Sequence, residues 1–147
     1  MSAGPILKDE ISAGSKVRGF NVNGVSCDVR NKGDGRLDLC VVHSKAPCSA
    51  AGLFTKNDVQ AAPVILSREL ISTGEDLHGI VCNSGNANAC TGDRGLLDAQ
   101  AMSNEAVRAA SAPAGSFLVC STGRIGELLP MDRVVSGIHE CARTLGN

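Results

Sequence analysis

The sequence predicts an α+β or layered α/β fold in a single domain, with helices laid over a sheet. Three observations predict it. Apolar runs of strand length recur at Phe20–Val29, Leu37–Val42, Gly79–Cys82 and Phe117–Cys120. Two longer stretches, Asp93–Ala110 and Pro130–Leu145, repeat apolar residues at three- and four-residue steps. The chain has 147 residues, enough to bury a core without covalent staples.

Taken in order, Phe20, Val22, Val25, Cys27 and Val29 alternate loosely, and Gly24 suggests a bulge in the first strand. Asn31-Lys-Gly-Asp-Gly35 is a turn cluster, so Phe20–Val29 and Leu37–Val42 are expected to form a hairpin. Ala50–Thr55 is a candidate third strand, and Val64–Leu66, after Pro63, begins another. Ser67 is placed to cap a short helical turn through Ile71, with Glu69 in that turn. Beyond the strand Gly79–Cys82, the predicted helix Asp93–Ala110 buries Leu96, Ala99, Met102, Ala106 and Ala110, with Pro113 past its end. After the strand Phe117–Cys120, Pro130 suits the first position of the last helix. Val134, Val135, Ile138, Cys141 and Leu145 mark its buried face, and Gly146 is its expected stop.

Composition excludes several function classes. With 43% hydrophobic residues, 20% charged residues and a net charge of −1, the chain offers no electrostatic footprint for nucleic acid. Three Phe, with no Trp or Tyr, are too few for base stacking. No apolar run approaches the roughly 20 residues of a membrane helix. The first residues resemble neither a secretory nor a transit segment, so a cytoplasmic location is expected. The seven cysteines include no Cys-x-x-Cys, and Cys40, His43 and Cys48 fit no common zinc spacing. Buried free thiols are expected, and no metal.

Two polar runs carry the chemistry. Asn83-Ser-Gly-Asn-Ala-Asn-Ala-Cys-Thr-Gly92 and Cys120-Ser-Thr-Gly-Arg-Ile-Gly126 each follow an apolar strand. Ser121-Thr122-Gly123 can aim a hydroxyl and backbone amides at one point, as an oxyanion hole requires. Taken alone, the same tripeptide reads more simply as a turn. The Asn-rich run admits both readings too: Asn83 and Asn86 are candidate substrate contacts, or the run is a set of local turns. Cys82, four residues after His78, and Cys90, before Thr91-Gly92, are candidate nucleophiles with His43 or His139 as base, although a buried strand cysteine is commoner. Glu127 and Asp132 flank the last helix start, where capping explains them. Arg124, beside the Thr-Gly pair, is the cation placed for a substrate carboxylate.

Six segments in register resemble the bifunctional glutamate N-acetyltransferase (ornithine acetyltransferase) family of arginine biosynthesis. They are Asp38-Leu-Cys-Val-Val42, Ser49-Ala-Ala-Gly-Leu-Phe-Thr55, Ala61-Ala-Pro-Val64, Asn83–Gly92, Ser121-Thr-Gly-Arg-Ile-Gly126 and Leu129-Pro-Met-Asp132, with Arg18-Gly-Phe20 ahead of them. The resemblance covers the chain from about residue 17 onward. It implies an αββα-type sandwich like that of the self-cleaving aminopeptidases, with residues 1–147 as most of the N-terminal (α-chain) half.

It also implies a mechanism. Members cut themselves, and the freed threonine takes acetyl from N-acetylornithine and passes it to glutamate, with acetyl-coenzyme A a further donor in bifunctional members. Thr122 and Gly123 inherit the oxyanion role, and no metal or organic cofactor is implied. The family's Thr-Thr-Asp substrate segment and Ala-Thr-Met-Leu-type cleavage site do not occur in this sequence. The expectation is therefore a chain inactive by itself, with a second (β) chain supplying the nucleophile, and an oligomer or an exposed face where that half packs. Two alternatives stand beside it: a non-catalytic interaction domain on the same scaffold, and a hydrolase in which water replaces glutamate.

Overall fold

A computed structural model describes residues 17–145. The first two apolar runs give β1 (Phe20–Val25) and β2 (Leu39–Cys48), antiparallel from Phe20↔Ser44 to Val25↔Leu39. Gly24 lies opposite Cys40 in unbroken register, so the expected bulge does not form. The Asp38 carboxylate secures the hairpin from inside, accepting from the amides of Cys27 at 2.8 Å and Val29 at 2.7 Å. Next come α1 (Ala62–Ser72), β3 (Leu77–Asn86), α2 (Gly92–Ala110), β4 (Phe117–Arg124) and α3 (Met131–Arg143). The sheet order is β1-β2-β3-β4; β3 is antiparallel to β2, and β4 runs parallel to β3 after the α2 crossover. The mixed sheet with its helices is an α+β fold.

Four local expectations are corrected. Val64–Leu66 is helix, because Pro63 sits in the first turn, where a missing N–H costs nothing, and Ala62, Pro63, Leu66 and Ser67 fall on one buried face. A short apolar triplet cannot tell one face of a helix from a strand. Ser67 is accordingly no cap. Its buried hydroxyl donates to the Val119 carbonyl at 2.9 Å and accepts from the Val119 amide at 3.1 Å, filling the free edge of β4. Ala50–Thr55 forms no strand; Leu53 is fully exposed, and the Phe54 ring lies 5.3 Å beneath the Arg68 guanidinium. Pro130 stands just before α3 rather than inside it, and Gly146 lies outside the described residues.

All three helices pack on one face. Leu39, Val41, Val81, Phe117 and Val119 project there and meet Ala99, Met102, Ala106, Val134, Ile138 and Cys141 in the core. Leu96, expected in that core, is exposed, and Gly95, Asp98 and Ser103 take the inward positions. The Ser103 hydroxyl donates to the Phe117 carbonyl at 2.7 Å. Asn23 reaches α3 from β1, donating to the Cys141 carbonyl and the Thr144 hydroxyl. The opposite sheet face, with Val22, Val42, Ile80 and Leu118 in one row and Gly24, Cys40, Cys82 and Cys120 in the next, is half-buried to exposed. Of the layers in a four-layer sandwich, the described residues form one of helices and one sheet.

Candidate functional site

Pairing β3 with β4 brings the two polar runs together at their shared C-terminal end. Asn83 stands opposite Ser121, Ser84 opposite Thr122 and Gly85 opposite Gly123, after which the register shifts at Asn86. Alternation sends Asn83 and Ser121 to the helix side and Ser84 and Thr122 to the open face. Gly123 has φ +135°, and a Cβ there would lie 2.3 Å from the Gly85 carbonyl carbon and 2.5 Å from the Asn86 nitrogen. Gly85, at φ +106°, is covered by Arg30, whose Cγ would lie 2.5 Å from an added Cβ. Two glycines thus let adjoining backbones and one arginine stem converge where side chains would hold them apart.

The asparagines of the run are engaged differently from one another. Asn86 is buried; its amide donates to the carbonyls of Glu127 at 3.0 Å and Leu128 at 3.2 Å, and its oxygen accepts from the Asn88 amide at 2.8 Å. That group ties the end of β3 to the loop before α3. Asn83, also buried, donates to the Asn86 carbonyl at 2.8 Å; its side-chain oxygen and the hydroxyl of Ser121 are buried without partners. Asn88, wholly buried, links Thr91 to Gly95 at the start of α2. The run is therefore mostly a scaffold for backbone, as its Asx-turn reading allowed.

Thr122 and Gly123, by contrast, are exposed, and Thr122 stands between two pockets. One, of about 390 Å³, is an apolar groove across the open face, lined by Val22, Leu37, Cys40, Cys82, Ser84 and Thr122. The other, of about 370 Å³, is lined by Arg30, Lys32, Ser84, Gly85, Thr122, Gly123 and Arg124, with no carboxylate in its wall. Arg124 is exposed and pairs with Glu127 at 3.1 Å. Glu127 is thereby a partner of Arg124, while Asp132 occupies the first turn of α3, as capping predicts. Arg30 escaped the sequence reading because only the β2–β3 pairing carries its hairpin to Gly85.

The open face also carries a thiol row, Cys40, Cys82 and Cys120, in register on three strands. The Cys82 thiol donates toward its neighbours and its own pKa is raised, first by those hydrogen bonds. Cys40 and Cys120 are each brought down to about 7 by that donor. A raised pKa and cysteine neighbours do not make Cys82 a nucleophile paired with histidine. His43 stacks on Phe117 at 6.1 Å, its pKa lowered by burial, and His139 bonds Glu105 at 3.0 Å. Cys90 is exposed at φ +57° ahead of α2. Among the described residues no group of three His, Cys, Asp or Glu side chains is placed to hold a metal ion, and no helix is long and apolar enough to cross a membrane.

Comparison with known proteins places the chain in a family. The ArgJ family pattern matches residues 21–147. The arginine biosynthesis bifunctional protein ArgJ of Symbiobacterium thermophilum is 46% identical over 127 residues, which are 86% of this chain and 31% of that protein. Its namesake from Thermotoga neapolitana is 44% identical over 129 residues, 87% of this chain and 32% of that protein. Among solved structures, ArgJ of Bacillus halodurans superposes with a TM-score of 0.78 at 41% identity, covering 84% of this chain and 63% of that one. Ornithine acetyltransferase of Mycobacterium tuberculosis, complexed with ornithine, gives 0.81 at 38% identity, covering 87% and 68%. The chain spans about a third of the length of the curated relatives it matches.

Proposed function

The chain belongs to the ArgJ family, and from that premise we propose that it supplies the oxyanion-binding face of an acetyltransferase in arginine biosynthesis. Acetyl passes from N-acetylornithine to glutamate through an ester on a threonine carried by a second chain. That hydroxyl attacks the acetyl carbonyl, negative charge gathers on the carbonyl oxygen, and the ornithine amine leaves with a proton. Glutamate's amine then attacks the ester and the charge gathers again at the same place. Thr122 and Gly123 meet it at both steps, the first with its hydroxyl and the second with its backbone N–H. Donors fixed before reaction need no reorganisation as charge develops. Acetyl-coenzyme A is a second acetyl source in this scheme.

One observation carries the reading: Thr122 and Gly123 are exposed, Thr122 lines both pockets and Gly123 the basic one, and Gly123 is held by contacts that no other residue permits. The open sheet face beside them is the surface proposed to receive the second chain. The test mixes this chain with the remaining two thirds of a close relative, prepared separately. N-acetylornithine and glutamate are supplied, and N-acetylglutamate is measured. Acetyl transfer by the mixture, and by neither part alone, is expected. Free acetate without acetylglutamate would make the protein a hydrolase. No turnover with a correctly assembled pair would leave the scaffold without this chemistry.

A further inference from the structure

Three of the seven cysteines are set apart from the rest by strand pairing. Cys40, Cys82 and Cys120 occupy one rung across β2, β3 and β4, with Cys40 opposite Cys82 and Cys82 opposite Cys120. Residues opposite one another project to the same face, so each thiol lies beside the next on the open side of the sheet. The other four are engaged singly or stand alone. Cys48 donates to the Leu77 carbonyl at 3.1 Å and Cys141 to the Asn23 carbonyl at 2.9 Å. Burial pushes the Cys27 thiol up, and Cys90 stands by itself ahead of α2. Within the row Cys120 is exposed, and Cys40 and Cys82 are half-buried. Cys40 and Cys82 line the apolar groove, whereas Cys120 lines a separate hollow of about 310 Å³ with Phe54, Pro63 and Leu118. The row is therefore open from either end.

We propose that Cys82 and Cys120 form a modification site, a dithiol that a peroxide closes to a disulfide. This goes beyond the acetyl-transfer reading and does not rest on it. Neighbouring strands lie about 4.8 Å apart, inside the roughly 4.4–6.8 Å between α-carbons that a disulfide spans. Cys120 meets the oxidant first because it is the exposed member of the row. Donation from Cys82 brings it down to about 7, so its thiolate is present near neutral pH. The Cys120 sulfur attacks one peroxide oxygen, the O–O bond breaks and hydroxide leaves, which gives a sulfenic acid. That hydroxide and the proton given up by Cys120 make one water. The Cys82 sulfur then attacks the sulfenic sulfur, and the departing hydroxide takes the Cys82 proton as a second water. Two thiols are oxidised and one peroxide is reduced. Cys40 lies two strands from Cys120, so Cys82 is the thiol within its reach. On the docking proposed above, the site is open to oxidant until the second chain covers the face.

The test treats the dilute chain with hydrogen peroxide near neutral pH, blocks the remaining thiols with iodoacetamide and digests it without reduction. Mass spectrometry is expected to find the Cys120 peptide joined to the Cys82 peptide, lighter by two hydrogens, in protein that still has the mass of one chain. Dithiothreitol should part the two peptides. The rate of joining should rise with pH through about 7, as the Cys120 thiolate appears. Cys82→Ser should abolish the joined peptide and leave Cys120 as a sulfenic acid that dimedone traps. Cys40→Ser and Cys90→Ser should keep it. The unaltered chain alone can refute the proposal: Cys120 joined to any other cysteine, joined only between two chains, or left unjoined overturns it. A joined Cys120 that persists in Cys82→Ser overturns it as well. None of these readings uses acetyl transfer, so the dithiol and the acetyltransferase stand or fail separately.

Discussion

Gly123→Ala tests the backbone contact on which the site is built. An added Cβ would sit 2.3 Å from the Gly85 carbonyl carbon and 2.6 Å from its oxygen. Both are main-chain atoms of a paired strand, so they cannot swing aside as a long side chain would. The φ of +135° is itself one that alanine resists, at about 1–3 kcal/mol. With the overlap added, the change should destabilise the chain by about 3 kcal/mol or more, placing it among the severe substitutions. At about 2–4 °C per kcal/mol, the midpoint of thermal unfolding should fall by about 6–12 °C. The strand end must also move to admit the methyl, so acetyl transfer by the mixed halves should drop by about 10²–10³-fold, the usual effect of losing one oxyanion donor. Calorimetry and the N-acetylglutamate assay read the two consequences independently. An alanine variant that melts within about 2 °C of the parent would refute the contact as described. Full activity would refute the role assigned to the backbone there.

Other substitutions separate chemistry from support. Thr122→Ala should lower acetyl transfer by about 10²–10³-fold while unfolding within about 0.5 kcal/mol of the parent, because the side chain is exposed; Thr122→Ser should recover most of the rate. Ser67→Ala removes both bonds to Val119 and leaves a buried amide unpaired, a loss of about 1–3 kcal/mol visible as faster amide exchange at Val119. Alkylation gives the pH test: a lowered thiol pKa means thiolate appears as pH rises, so Cys120, the exposed end of its row, should reach half its maximal rate near pH 7. Burial pushes Cys27 up to about 12 and Cys141 up to about 11, so neither should label at that pH. Mass spectrometry of the alkylated peptides would show the order, and prior labelling of Cys27 would contradict it.

Much of the fold was legible because its longer elements repeat clearly. The α2 and α3 helices and the cores of all four strands follow from periodicity and turn residues. Val64–Leu66 was misread because three apolar residues fit one face of a helix as well as a strand, and tertiary burial decided between them. Ala50–Thr55 has strand-like composition but no neighbouring strand to pair with among the described residues. At the site, Thr122 and Gly123 were visible as a small polar motif after a strand. Which asparagines face inward was not, since that depends on where the alternation of β3 ends. Arg30 was out of reach because its meeting with Gly85 is a product of strand pairing rather than of local sequence.

The grip of Arg133 on Asp28 joins positions 105 residues apart. The turn bearing the basic pocket is thus clasped by the last helix, and a ribosome must deliver α3 before the clasp can close. Early hairpin formation would leave that corner loose until α3 has been made. Removing α3 should therefore be felt first in the turn it clasps, in the alignment of Arg30 and Lys32, before the sheet itself gives way.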